Sequence, residues 1–291
     1  MTAEIIDGKA LAQEIRAKVA EDVKRMIAAG KLRPGLATVL VGENPASQVY
    51  VRSKQKACAQ AGIESFGYTL PANATQAEVE SLVTKLNGEP RVNGILVQLP
   101  LPTGLDEERV LNTISIEKDV DGFNPLNIGR LAQKGRDPLF VPCTAAGVMV
   151  MLEKAGVQLE GANAVVIGRS NIAGMPIALL LVRRNATVTV CHSRTRNLPG
   201  LTRTADVLIA AVGRPEMVRG DWVKPGAVVI DVGTNRVEDP TCDKGYRLTG
   251  DVYFDEVKEV ASVISPSPGG TGPMATALLL KNTVRAAKLQ G

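Results

Sequence analysis

Both halves of this chain alternate short, unbroken apolar runs with helical segments, and this pattern constrains the fold more than any other feature. A strand that is apolar without alternation is covered on both faces, and a helix crossing between two such strands makes them parallel. In the first half, Leu36–Val41 and Gly94–Leu99 read as such strands, and Ile63–Leu70, which is broken by Glu64, Ser65, Gly67 and Thr69, reads as a strand beside them. The helices between and before them are Gly8–Ala29, Asn44–Ala61 and Thr75–Leu86. Leu11, Ile15, Val19, Val23, Met26 and Ile27 recur at steps of mostly three or four, giving one apolar helical face that Gly30 ends. Asn44 reads as an N-cap, Pro45 as the first helical residue and Gly62 as the stop. Thr75 and Glu78 read as a capping box. Asp121–Pro142 holds three Pro and three Gly and predicts an irregular connector. The second half predicts strands Ala164–Ile167, Thr187–Cys191, Val207–Ala211, Val228–Val232 and Ser262–Ile264, with helices Thr144–Lys154, Gly174–Arg184 and Pro273–Lys288. The expected fold is α/β with two domains: an N-terminal parallel-sheet domain (1–141, rejoined by the C-terminal helix, 273–291) and a Rossmann-type domain (142–272).

Several function classes are disfavoured by what the chain lacks. His192 is the one histidine, and the four cysteines (Cys58, Cys143, Cys191, Cys242) form no CxxC pair. That is too few ligands for a typical zinc site, so no metal is expected, and only His192 could serve a hydrolytic triad. Scattered thiols point to a reducing compartment. No apolar run reaches the roughly 18 residues of a membrane span, and Met1–Ala10 carries no basic segment leading into an apolar stretch. A cytoplasmic location is therefore expected. A net charge of +4 with 3% aromatic residues is a weak footprint for nucleic acid, and none is expected as a partner.

The second half carries the signs of a dinucleotide. Ala164–Pro176 reads AVVIGRSNIAGMP: an apolar strand runs into Gly168, turns, and meets Gly174 near a helix start. Glycines permit a tight turn and close backbone approach, and a following helix presents free N–H groups to a pyrophosphate. The spacing is GxSxxxG rather than GxGxxG, so alone it fits an ordinary strand-to-helix turn equally well. The next strand ends in His192-Ser193-Arg194-Thr195, with no acidic residue to hold a ribose 2′-hydroxyl. With Arg169 in the first turn, this composition suits a 2′-phosphate and favours NADP over NAD. His192 reads as a turn residue or phosphate contact. Two further strands end in Gly213 and in Gly233-Thr234-Asn235.

In the first half, Tyr50 and Lys54 lie four apart on one predicted helix and share a face. An amine held against an apolar face loses hydration and parts with its proton more readily, which suits proton transfer. From spacing alone, Lys54 and Lys56 as surface charges is the stronger reading. Gln98 falls in an apolar strand, where a side-chain amide must be bonded or belong to a site. Asp121 lies where the chain leaves the first domain and suits a donor-rich heterocycle or a turn.

Five segments together resemble the bifunctional methylenetetrahydrofolate dehydrogenase/methenyltetrahydrofolate cyclohydrolase family: YVRSK (Tyr50–Lys54), GILVQLPLP (Gly94–Pro102), KDVDGFNP (Lys118–Pro125), VVIGRSNIAGMP (Val165–Pro176) and PSPGGTGPM (Pro266–Met274). They follow the family's order across essentially the whole chain. The resemblance implies that Lys54 is the catalytic lysine, working with Gln98 in hydrolysis, that Tyr50 stacks on the folate and that Asp121 binds the pterin edge. It places Val51, Arg52, Ser53, Val97 and Leu99 around the substrate, with Pro268, Gly269, Gly270, Thr271 and Gly272 as a loop against it. It gives NADP to Gly168, Arg169 and Ser170, with His192 also at the cofactor, the 2′-phosphate to Ser193, Arg194 and Thr195, and the nicotinamide side to Thr234. The implied partners are a folate substrate and a second copy of the chain as a homodimer. The implied role is one-carbon metabolism: tetrahydrofolate interconversion and, through it, purine biosynthesis. The departures are Thr271 and Ala275, where the family usually has Val and Thr, and Ala145, where its PCTPxG motif has a second Pro. The rival readings are an NADP-dependent dehydrogenase of another small substrate, without hydrolysis, and a non-catalytic dinucleotide-sensing module.

Overall fold

The computed structural model describes residues 2–242 and 245–291. Along the chain run β1 (Glu4–Ile5), α1 (Gly8–Ala28), β2 (Gly35–Val41), α2 (Pro45–Ala61), β3 (Glu64–Leu70), α3 (Gln76–Gly88), β4 (Gly94–Val97), α4 (Glu107–Thr113) and α5 (Pro125–Ala132). Then follow α6 (Cys143–Lys154), β5 (Asn163–Ile167), α7 (Gly174–Arg183), β6 (Thr187–Cys191), α8 (Leu198–Thr202), β7 (Val207–Ala210) and β8 (Val228–Asp231). The chain closes with β9 (Asn235–Glu238), β10 (Tyr246–Thr249), α9 (Phe254–Val257), β11 (Val263–Ile264) and α10 (Thr271–Gln290). Among the described residues no helix is long and apolar enough to cross a membrane.

Two compact units share the chain, Gln13–Cys143 with Thr276–Gly291, and Met1–Ala12 with Thr144–Ala275. The first is built on a parallel sheet of order β3-β2-β4. Every residue of central β2 is buried, Thr38 within its otherwise apolar run included. Val39, Val79, Val83, Leu86, Ile95 and Val110 belong to one core cluster there. The C-terminal helix α10 packs on this unit through polar contacts as well: Asn282 Nδ2 donates to Val120 O (2.9 Å), and Gln290 Nε2 donates to Asn93 O and Glu117 O (2.9 Å each). Asn44 caps α2, Gly62 ends it in the left-handed region at φ +76°, and the Thr75–Glu78 box opens α3.

The second unit holds six parallel strands in the order β1-β11-β8-β7-β5-β6. Counting from β5, β6 lies on one side and β7, β8 and β11 follow on the other. Strand order therefore reverses beside β5, and in open parallel sheets ligands bind at the carboxyl ends of the strands at such a point. β9 and β10 form a separate antiparallel hairpin.

The structure departs from the sequence reading in several places. Met1–Ala12 belongs to the second unit, not to the first as the 1–141 boundary has it, because β1 pairs in parallel with β11. The supposed connector Asp121–Pro142 contains α5, capped by Asn124 with Pro125 in its first turn. β4 ends at Val97, so Gln98 follows the strand, with its N–H still bonded to Val39 O at 2.9 Å. α10 begins at Thr271, which places Thr271 and Gly272 in its first turn rather than in a loop.

Candidate active site

The first unit gathers four polar side chains at the exit of β4. Lys54, on the third turn of α2, donates from Nζ to Gln98 Oε1 at 3.0 Å. Gln98 Nε2 donates to Leu99 O at 2.7 Å, which settles which end of the amide faces the lysine. Lys54 thus meets a fixed acceptor, and the bond that fixes it comes from the chain's turn just after the strand. Asp121 lies within electrostatic reach of Lys54 and of the Cys143 thiol, which donates to Val120 O at 3.3 Å. Burial pushes the Asp121 carboxyl above the ordinary carboxylate range, while Lys54 and Cys143 pull it back. Burial, reinforced by Asp121, holds the Cys143 thiol well above its usual range, so it stays protonated.

The turn bearing Asp121 is itself held from within. Buried Asp119 accepts from Phe123 N (3.1 Å), Asn124 N (2.8 Å) and Asn127 Nδ2 (2.8 Å). Gly122, between them, sits at φ +83°, and a methyl group there would come 2.6 Å from Pro142 N. Tyr50 is 49% exposed, leaving a ring face free for stacking. Val51 and Val97 are buried, Leu99 is partly buried, and Arg52 and Ser53 are exposed. Cys58, one turn beyond Lys54, is fully buried, and burial pushes its thiol up to about 12. It is a packing group.

In the second unit, a cavity of about 610 Å³ opens at the carboxyl ends of β5, β6 and β7. This size suits a small-molecule or cofactor site. Gly168, Arg169, Ser170, His192, Ser193 and Thr195 line it, as do Ala211, Val212, Arg214, Met217 and Trp222. Gly168 stands at φ +117°, and a methyl group there would lie 2.0 Å from Ala211 O. Gly174 packs as tightly, with a methyl group meeting Gly168 O at 2.2 Å. The glycines let the turn after β5, the end of β7 and the start of α7 meet backbone to backbone. The first amides of α7 are held by the turn before it: Gly174 N donates to Ser170 Oγ (3.4 Å) and Met175 N to Ser170 O (3.1 Å). His192 closes a turn: Thr195 N donates to its carbonyl (2.8 Å), its N–H donates to Thr195 Oγ1 (2.9 Å), and Nδ1 accepts from Arg194 N (3.2 Å). The side chains around the cavity carry no carboxylate and include two guanidiniums, so the donor set fits a dinucleotide with an added phosphate.

Some expected residues lie elsewhere. Arg194 and Thr234 are exposed and do not line the cavity. Pro268–Gly272 belongs to the second unit, whereas Tyr50–Lys54, Val97–Leu99 and Asp121 belong to the first. Buried Thr271 directs its hydroxyl to Asp231 O at 3.5 Å. Sequence reasoning passed over Arg214, one residue beyond the strand-ending Gly213, and Cys143, whose place beside Asp121 is set by tertiary packing.

Comparison with known proteins agrees with this geometry. Residues 6–121 match the model of the tetrahydrofolate dehydrogenase/cyclohydrolase catalytic domain, and 142–291 match that of its NAD(P)-binding domain. A bifunctional FolD protein of Moorella thermoacetica is 55% identical over 288 residues, covering 99% of this chain and all of the relative. The crystal structure of a Trypanosoma brucei methylenetetrahydrofolate dehydrogenase-cyclohydrolase, complexed with NADP cofactor and inhibitor, superposes with TM-score 0.96 at 45% identity, covering 99% and 98% of the two chains. The Campylobacter jejuni enzyme gives 0.93 at 45% identity, covering 99% and 100%. With both halves matched, the chain belongs to the tetrahydrofolate dehydrogenase/cyclohydrolase family.

Proposed function

We propose that this chain oxidises 5,10-methylenetetrahydrofolate with NADP⁺ to the 5,10-methenyl cation, and then hydrolyses that cation to 10-formyltetrahydrofolate. The observation that carries the reading is Lys54 Nζ held 3.0 Å from Gln98 Oε1 beside Asp121. A dehydrogenase alone has no need of a positioned amine.

Bound NADP⁺ supplies the two-electron acceptor for the first step. Gly168, Arg169, Ser170 and the His192–Thr195 turn hold the cofactor, and Arg214 joins them. Tyr50 offers its ring to the pterin, Asp121 accepts from the pterin edge, and Val97 and Leu99 flank the substrate. Loss of hydride from the methylene carbon releases no proton, and the adjacent nitrogen stabilises the cation. The residues need only orient the reactants, and a lone histidine is no handicap.

Hydrolysis does move protons. Water adds to the methenyl carbon and gives a proton to the Lys54 amine. The C–N5 bond then breaks, the Lys54 ammonium returns its proton to N5, and the hydroxyl proton leaves to solvent as the formyl C=O forms. The balance is methenyl cation plus water giving formyl product plus one proton. Gln98 Oε1 fixes Nζ throughout as a neutral acceptor.

Wild-type protein is expected to hydrolyse the methenyl compound without NADP⁺, followed as loss of methenyl absorbance. A protein that reduces NADP⁺ with another substrate and leaves the methenyl compound untouched overturns the reading. Gln98→Glu sets a carboxylate against the Lys54 ammonium and holds its proton, so hydrolysis should slow by about 10-fold or more. An unchanged rate would show that the neutral amide is not required. Arg194→Ala should raise the KM for NADP⁺ more than that for NAD⁺. Equal losses would mean that Arg194 does not read the 2′-phosphate.

The reading brings with it a homodimer, in line with the prevalence of twofold symmetry, and a cytoplasmic place in the tetrahydrofolate interconversions that serve purine biosynthesis. Light scattering at twice the 30.8 kDa chain mass checks the dimer.

A further inference from the structure

Two buried aspartates in the second unit are used by neither step above. Asp231 ends β8 and is 2% exposed, and Asp251 follows β10 and is fully buried. Asp231 accepts from Gly233 N, Asp251 N and Val252 N, each at 3.0 Å. Asp251 accepts from three consecutive backbone amides, Val212 N (2.6 Å), Gly213 N (3.0 Å) and Arg214 N (2.9 Å), and from Asn235 Nδ2 (2.9 Å). The chain leaves room for both carboxylates by having glycine opposite each. A methyl group at Gly233 would lie 2.2 Å from Asp251 Cγ, and one at Gly250 only 1.7 Å from Asp231 Oδ2.

The amides that Asp251 binds belong to the loop leaving β7, and Val212 and Arg214 of that loop line the dinucleotide cavity. A carboxylate wrapped by three successive N–H groups fixes the loop as firmly as a bound anion would. It also consumes those amides, so the loop faces the cavity with side chains and not with a phosphate-binding nest.

We propose that Asp251 is a positioning residue for the NADP site: its carboxylate holds the Val212–Arg214 loop, and through Asn235 the start of β9, in the form that binds the cofactor. This deepens the functional reading above and rests on it only for the cofactor's identity. Asp251→Asn replaces one acceptor oxygen with an NH₂ group that faces backbone donors, so the loop loses its hold. Lys54 and Gln98 belong to the other unit and should feel little of this.

Trp222 is the one tryptophan and lines the cavity, so NADP⁺ binding can be followed by its fluorescence without any folate. For Asp251→Asn the Kd for NADP⁺ is expected to rise about 10-fold or more, because each carboxylate oxygen takes two donors and losing one oxygen leaves both unpaired. Methenyl hydrolysis should change far less. Asn235→Ala removes a single side-chain donor and should raise the same Kd about 3-fold; it decides the matter if Asp251→Asn does not fold by circular dichroism. An unchanged Kd in the folded variants, or a parallel fall in affinity and methenyl hydrolysis, overturns the proposal. A wild type that binds NADP⁺ tightly yet processes no folate faults the functional reading and leaves the binding comparison standing.

Discussion

Lys54→Met should lose methenyl hydrolysis by about 10²–10⁴-fold, the usual contribution of a positioned proton-transfer group, while the protein stays folded. Methionine matches lysine in helix propensity and in the length of its apolar stem, so α2 keeps its packing. What disappears is the nitrogen bonded to Gln98 Oε1. Hydride loss from the methylene carbon requires no proton acceptor, so this variant should still reduce NADP⁺ and should accumulate the methenyl compound. Separate assays with methylene and methenyl substrates measure the split. Near-wild-type hydrolysis would remove Lys54 from the mechanism, and equal collapse of both activities would make it a binding residue only.

Gly168→Ala should strike the other half. The backbone at φ +117° is one that L side chains rarely adopt, and the new methyl group would lie 2.0 Å from Ala211 O. Strain of this kind costs about 1–3 kcal/mol, with the clash adding to it. The thermal midpoint should fall by about 5–10 °C for a loss of roughly 2.5 kcal/mol. Because the turn after β5 and the end of β7 meet at this point, NADP⁺ affinity should fall further than stability alone requires. Scanning calorimetry together with the Trp222 titration reads both quantities. A stable Gly168→Ala protein with unaltered NADP⁺ affinity would show that the turn does not form the cofactor cradle.

Local chemistry explains which parts were legible in advance. Caps and apolar runs are short-range signals, so Asn44-Pro45, Gly62 and the Thr75–Glu78 box marked the helices they bound, and β2 through β8 were found to within about two residues. Asn124-Pro125 carries the same signature as Asn44-Pro45 but stands in a stretch crowded with Pro and Gly, and α5 was hidden by that composition. β1 has no local signal at all. It is two residues long and exists as an edge beside β11, its partners 259 residues away in sequence (Glu4 with Val263).

At the site, Lys54, Gln98 and Asp121 were singled out by residue type and by motif order. Their gathering depends on β4 ending at Val97 and on Asp119 holding the turn that carries Asp121, which no spacing rule contains. Cys143 and the Asp231–Asp251 pair take their character from burial, a property of the packed chain and not of any segment. Ala275 and Ala145, two of the family departures, have no structural explanation.

The central claim is that one chain carries a folate-bound carbon through both oxidation and hydrolysis. The most direct measurement follows ¹³C-labelled methylenetetrahydrofolate by NMR with wild-type protein and NADP⁺, while NADPH is read by absorbance. The expected result is the label passing from methylene through methenyl to formyl carbon, with one NADPH formed per labelled carbon oxidised. NADPH formation with the label stopping at methenyl, at the uncatalysed rate of hydrolysis, would contradict it.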